Sequence, residues 1–153
     1  MKKLHQYHNG DFFKLTLKNG NLICLIIDEL RILVFEKEIE EIKPNTIFDI
    51  SDIFGYFIIS MDKDFLKKVK VEGNYNNLNS IIQILPPLFH QDRFNKNNCT
   101  LYYLDGSEQK AKPNDCIGLN SDGVWPSLLF EKMLEDYLAN SINIHLERSY
   151  VKL

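Results

Sequence analysis

The 153-residue sequence predicts an α+β fold: a twisted, mostly antiparallel sheet or partly open barrel with one main C-terminal helix. Three observations predict it. Two apolar runs flank Asn19-Gly20 between Asp11 and Ile27, the pattern of a β-hairpin. Short β-branched and aromatic runs then recur, punctuated by Gly, Pro and Asn. Apolar spacing changes from two to three and four only at Leu128, Leu129, Phe130, Met133, Leu134, Tyr137 and Leu138, the stripe of an amphipathic helix.

Taken in order, Met1 to Gly10 is a polar lead-in. A type I′ turn at Asn19-Gly20 pairs Lys18 with Asn21, Leu17 with Leu22, Leu15 with Cys24 and Phe13 with Ile26. Cross-strand partners share a face, so these apolar residues form one surface. The other face carries Lys14 and Thr16 on the first strand but Ile23, Leu25 and Ile27 on the second, which should therefore be central. Leu30 to Phe35 extends the pair into a meander. Glu36 to Lys43 reads as a helical turn or charged loop closed by Pro44, and Gly55 to Met61 as a buried strand. Asp62 is placed to cap a short turn through Lys68. Val69 and Val71 alternate with charges in a one-sided strand ended by Gly73-Asn74.

Ile81 to Leu85 is apolar and stops at Pro86-Pro87, which a central strand does not tolerate. Leu88 to Asn98 reads as a polar loop anchored by Phe89 and Phe94, Thr100 to Leu104 as a strand ended by Asp105-Gly106, and Lys110 to Asn114 as loop. The main helix starts at Pro126 or Ser127. Alternation of Ile142, Ile144 and Leu146 favours an edge strand over a frayed helix for the tail. No internal repeat or linker divides the chain, so a single domain over residues 1–153 is expected.

Composition narrows the function. At 44% hydrophobic and 25% charged residues the chain resembles an ordinary globular protein rather than a disordered one. A net charge of −3 argues against a general nucleic-acid binder. The longest apolar run, Leu22 to Ile27, is too short to span a membrane, and no signal-peptide pattern follows the basic start. Three widely spaced cysteines, Cys24, Cys99 and Cys116, fit reduced thiols in a cytoplasm better than a disulfide framework.

Catalytic and metal motifs are sparse. His5 and His8 are three apart without further ligands nearby, so a solvated pair outweighs a metal site. His90-Gln91-Asp92 offers a base and a carboxylate, but adjacent loop residues point different ways and no nucleophile accompanies them. Cys116 reads as a small buried residue rather than a reactive thiol. There is no phosphate loop, dinucleotide turn, serine elbow or metalloprotease helix, so neither an enzyme nor a cofactor or metal site is expected. The uneven feature is charge: Asp28 to Asp64 holds ten acidic against four basic residues, a local net of −6 against +3 for the remainder. Such a segment is either a solvated face or a surface complementary to a basic partner.

Several segments together resemble the immunity protein 26 family of bacterial polymorphic-toxin and contact-dependent growth inhibition systems. They are Gly10-Asp11-Phe12-Phe13 with its hairpin, Leu85-Pro86-Pro87-Leu88-Phe89, the strand Leu101 to Leu104 with Asp105-Gly106, Cys116-Ile117-Gly118-Leu119, Val124-Trp125-Pro126, and the helix containing Phe130-Glu131-Lys132-Met133-Leu134. Lys70-Val71-Glu72-Gly73 departs from that pattern, as does Asn120, where the family usually carries Glu. The resemblance covers about Gly10 to Leu138 and implies a cytoplasmic, non-catalytic protein that binds and blocks a cognate toxin domain. For a nuclease toxin with a basic groove, Glu36, Glu38, Glu40, Glu41, Asp49 and Asp52 would supply the opposing charge. Phe54 and Tyr56 are candidate anchors, with core packing expected for at least one of them. Two other readings stand beside this one. One is a small β-barrel nucleic-acid- or ligand-binding module with Tyr102, Tyr103 and Trp125 lining one groove. The other is an enzyme using His90 and Asp92 with a residue distant in sequence.

Overall fold

The computed structural model describes residues 7–38 and 48–153, without the side chains of Lys37, Glu38 and Ile50. It is α+β, and its large sheet does not close into a barrel. Strands β1 (Asp11–Leu17), β2 (Gly20–Ile26), β3 (Arg31–Glu38), β4 (Ile53–Ile59), β5 (Val71–Asn74) and β9 (Val124–Trp125) form a six-stranded sheet in the order β5-β1-β2-β3-β4-β9. Its neighbours are antiparallel except β4 and β9. Strands β6 (Leu88–Gln91), β7 (Cys99–Tyr102) and β8 (Glu108–Ala111) form a small antiparallel sheet. The helices are α1 (Lys63–Lys68), α2 (Leu78–Ile82), α3 (Ser127–Leu138) and α4 (Ile144–Ser149).

The central strands are apolar on both sides, so both sides of the large sheet are covered. On one side Phe13, Leu15, Cys24, Ile26, Ile32, Val34 and Phe57 pack against Phe65 of α1 and Phe130, Met133 and Leu134 of α3. On the other, Phe12, Leu25, Leu33, Phe35 and Tyr56 pack against Ile81 of α2, Phe48, Leu85 and Leu88. Phe48 makes ring contacts with Phe12, Phe35 and Tyr75 at 4.8–5.2 Å. Within β6, Leu88 enters this second core while Phe89 joins Cys99, Leu101 and Cys116 beneath the small sheet.

The hairpin is real, but its turn lies one residue earlier than expected. Leu17 pairs with Gly20 and Leu15 with Leu22, leaving Lys18-Asn19 as the turn. Neither turn residue has a positive φ, whereas a type I′ turn needs two. This is the signature of a type I turn, which favours glycine at its fourth position, here Gly20. The register slides by two residues, so every side chain keeps its expected face. The ladder then runs on to Gly10, whose N–H donates to the Ile26 carbonyl at 2.7 Å.

Other expectations change as well. Glu36–Glu38 continue β3, and the rest of the expected loop or helical turn, through Lys43 and Pro44, lies outside the described residues. Leu78–Ile82 is a short helix before the two prolines. The expected loops at Leu88–Asn98 and Lys110–Asn114 contribute β6 and the end of β8. The tail is helical: Asn143 Oδ1 accepts from Leu146 N–H at 3.0 Å, and the alternating Ile142 and Ile144 are exposed, so alternation marked no buried face. Phe89 is a buried anchor, as expected, while Phe94 is 96% exposed.

Two polar residues tie elements together. Asp62 caps α1 as expected, accepting from Phe65 N–H at 2.9 Å. Its second oxygen accepts from the hydroxyl of buried Ser127 at 2.7 Å, joining the starts of α1 and α3. Asn120 joins the two sheets. Its side-chain oxygen accepts from Tyr56 N–H of β4 at 3.0 Å, and its carbonyl accepts from Phe89 N–H of β6 at 3.1 Å.

Asn120→Ala should therefore cost about 1–3 kcal/mol, since it strands the partly buried Tyr56 N–H; urea denaturation measures this, and an unchanged midpoint would remove the stitch. The Asp62 prediction concerns pH. Hydrogen bonds from Phe65 N–H and Ser127 hold its carboxyl below the usual range. A carboxyl depressed in the folded state stabilises fully above its unfolded pKa of about 4 and loses that contribution as pH falls through the depressed value. The melting-temperature gap between wild type and Asp62→Ala should be constant from about pH 5 upward and shrink below about pH 4. A gap independent of pH in acid would show that the charge contributes nothing.

Candidate partner-binding groove

The β3–β4 ladder contains a bulge: Val34 pairs with Gly55 and Phe35 with Ile53, leaving Phe54 unpaired. A bulge resets the alternation of faces. Phe54 therefore turns to the α3 side and Tyr56 to the opposite core, although their spacing of two predicts a shared face. Gly55 is required at this corner because a side chain there would strike the Phe57 ring.

Phe54 is half-buried. Its ring lies 4.3 Å from that of Tyr137 on α3, and the Tyr137 hydroxyl sits 3.4 Å from a carboxylate oxygen of Glu36. Burial, followed by the Glu36 charge, raises the Tyr137 phenol above its usual pKa. Glu36 and Phe54, which the sequence proposes separately, thus meet through a tyrosine that helical spacing assigns only to the core stripe. From Phe54 a groove of about 460 Å³ runs along Ile117, Leu119, Tyr150, Val151 and Leu153. Ile117 is 60% and Leu153 69% exposed. Single exposed apolar side chains are ordinary, but apolar residues sharing one concave surface suit a binding site.

The other proposed residues divide. Asp49 is exposed and held in a tight turn by Ser51, whose N–H and hydroxyl donate to it at 2.9 and 2.8 Å and lower its pKa. Asp52 is partly exposed two residues before Phe54. Glu38 is described only as backbone at the end of β3, and Glu40 and Glu41 lie outside the described residues. Tyr56 is buried, and burial pushes its phenol well above the usual value. Of the two proposed anchors, Tyr56 has the core role and Phe54 reaches the surface.

The chemistry proposed around His90 is arranged differently from the sequence expectation. His90 lies on β6 and pairs with Asp122 at 3.2 Å, while Asp92 accepts from Phe94 and Asn95 N–H groups at 2.7 and 2.9 Å. Both carboxylates border a cleft of about 600 Å³. Of the serine hydroxyls there, Ser121 Oγ accepts from Gly123 N–H and Ser149 Oγ donates to the Leu146 carbonyl. Cys24 and Cys116 are buried away from it, with burial raising both thiols, Cys116 to about 11. His8 pairs with Asp11 at 3.7 Å, and His5 lies outside the described residues. Among the described residues no three His, Cys, Asp or Glu side chains gather as a metal site. Trp125 is buried against Phe57 on the α3 side, whereas Tyr102 and Tyr103 line a small cavity beside Arg31. These three aromatics do not line one groove.

The groove's far wall, Tyr150 to Leu153, is held through its backbone. Gln91 accepts from Lys152 N–H at 2.9 Å and donates to the Lys152 carbonyl at 2.7 Å, as a neighbouring strand would. No sequence signal marked this, because a glutamine amide gives no hint of which distant backbone it meets. No protein-family model, curated protein or solved structure matches the chain.

Gln91→Ala removes both bonds, each worth about 1 kcal/mol. Hydrogen exchange at the Lys152 amide should accelerate at least about fivefold while the global melting temperature changes little. Unchanged exchange would show that the wall is held by side-chain packing instead.

Proposed function

We propose that this protein is an immunity protein that binds a cognate bacterial toxin domain and blocks it, working in the cytoplasm of the producing cell and without catalysis of its own. The observation that carries the reading is the half-buried Phe54 ring, which lines an apolar groove and packs on Tyr137, whose hydroxyl lies 3.4 Å from the Glu36 carboxylate. Fully desolvated aromatic and aliphatic anchors inside a charged rim dominate the energy of many protein–protein contacts. The segment resemblance to immunity protein 26 supports the same reading. Among the described residues no helix is long and apolar enough to cross a membrane.

In this reading Phe54, Ile117 and Leu153 enter the interface, while Glu36, Asp49 and Asp52 face a basic toxin surface. A nuclease toxin fits best, because its substrate groove must be positive. Covering that groove with an acidic protein excludes nucleic acid by volume and by charge.

The test mixes the protein with the toxin domain encoded beside it. Excess wild-type protein should abolish toxin activity, and association should slow as salt is raised. Ile117→Asp and Leu153→Asp, both at exposed positions, should retain the melting temperature and weaken binding about tenfold or more. A toxin fully active in excess protein would end the proposal. Unimpaired binding by both variants would move the interface elsewhere.

A further inference from the structure

The cleft beside β6 has a charge opposite to that of the protein as a whole. Arg93, Lys96, Arg148 and Lys152 line it, against the carboxylates of Asp92 and Asp122. Both carboxylates already have partners: Asp92 holds the backbone turn at Phe94 and Asn95, and Asp122 meets His90. Lys96 donates to the Leu153 carbonyl at 3.2 Å. The side chains of Arg93, Arg148 and Lys152 have no hydrogen bond or ion pair among the described residues. Four cations thus face two carboxylates in one concavity, a local excess of positive charge in a chain of net charge −3. A concave, low-dielectric wall concentrates their field, so the cleft should gather anions although the molecule as a whole repels them.

We propose that this cleft binds a nucleoside diphosphate or a ligand of that chemical class. Two guanidiniums suit phosphate, because their planar N–H forks match its oxygens, and Lys152 adds a third positive group. The aromatic requirement is met in the same place: Phe94 projects almost fully exposed at the rim, and Tyr150 lines the wall. An exposed ring on a backbone turn fixed by Asp92 is a ready stacking surface for a base. The volume of about 600 Å³ falls within the range of small-ligand sites. This site is separate in its chemistry from the partner-binding groove and does not depend on the immunity reading.

The experiment titrates the whole chain with inorganic pyrophosphate and with adenosine diphosphate at low salt, following backbone amide shifts by NMR. Both should shift Arg93, Asp122, Arg148 and Lys152, with the nucleotide binding tighter. Arg93→Gln combined with Arg148→Gln should weaken both ligands about tenfold or more, and Phe94→Ala should weaken the nucleotide while leaving pyrophosphate unchanged. Both arginines are exposed, so the fold should survive, as an unchanged amide spectrum outside the cleft would confirm. No shifts with either ligand at about 1 mM would overturn the proposal, as would equal binding by the double arginine variant. A nucleotide bound no tighter than pyrophosphate would also overturn it, as would a single-stranded oligonucleotide bound far tighter than the nucleotide.

Discussion

Everything in this fold answers to the two-sided apolarity of β2 and β3. Cys24 and Ile26 face one way while Ile23 and Leu25 face the other, and β3 repeats the arrangement with Ile32 and Val34 against Leu33 and Phe35. A sheet with such a centre cannot leave either side to water, because each buried aliphatic or aromatic side chain contributes about 1.5–3 kcal/mol. The main helix covers one side. The other is closed by a less regular set: a short helix, the Phe48 aromatic cluster, and Leu85 and Leu88 on either side of the two prolines. Once Leu88 is committed to that core, β6 must run beside the large sheet, and the small sheet is carried with it.

The two hollows of the molecule follow from that placement. Asn120 fixes the small sheet to the β4 bulge, so Phe54 lies next to Ile117 and Leu119. On the far side of Tyr150–Leu153, the same β6 presents His90 and Gln91 to a cleft edged with cations. One segment of backbone therefore separates an apolar groove near acidic residues from a basic cleft. The acidic residues are already concentrated in the sequence between Asp28 and Asp64, whereas the cations of the cleft come from two separate segments that only the fold brings together.

What could be read in advance was local. The hairpin, the Asp62 cap and the α3 stripe each have a signal within a dozen residues, and each is present, except that Leu128 of the expected stripe is exposed. Even the mistaken turn position preserved the faces, because a two-residue slide is invisible to a period of two. What could not be read depends on distant partners. Nothing in Ile53-Phe54-Gly55-Tyr56 announces a bulge, so the two aromatics looked equivalent when one is core and the other surface. Strand β8 is polar from Glu108 to Lys110, with only Ala111 packed against the core beneath the small sheet, and it pairs with β7 along its whole length, so no alternating apolar pattern announces it. Tyr137 and Asn120 gain their roles through contacts with residues 83 and 64 positions away, respectively, in Phe54 and Tyr56.

The side-chain amide of Gln91 grips Lys152 by its main-chain atoms alone. It is indifferent to which side chains the gripped segment carries. Lys152 and Leu153, both exposed, could be exchanged for other residues that keep a backbone N–H without losing this grip, and each exchange would redraw the adjoining surfaces, whereas Val151 is also packed against the core beneath the small sheet. A scaffold built this way separates the task of staying folded from the task of choosing what to hold, so new specificities could arise without renegotiating the core.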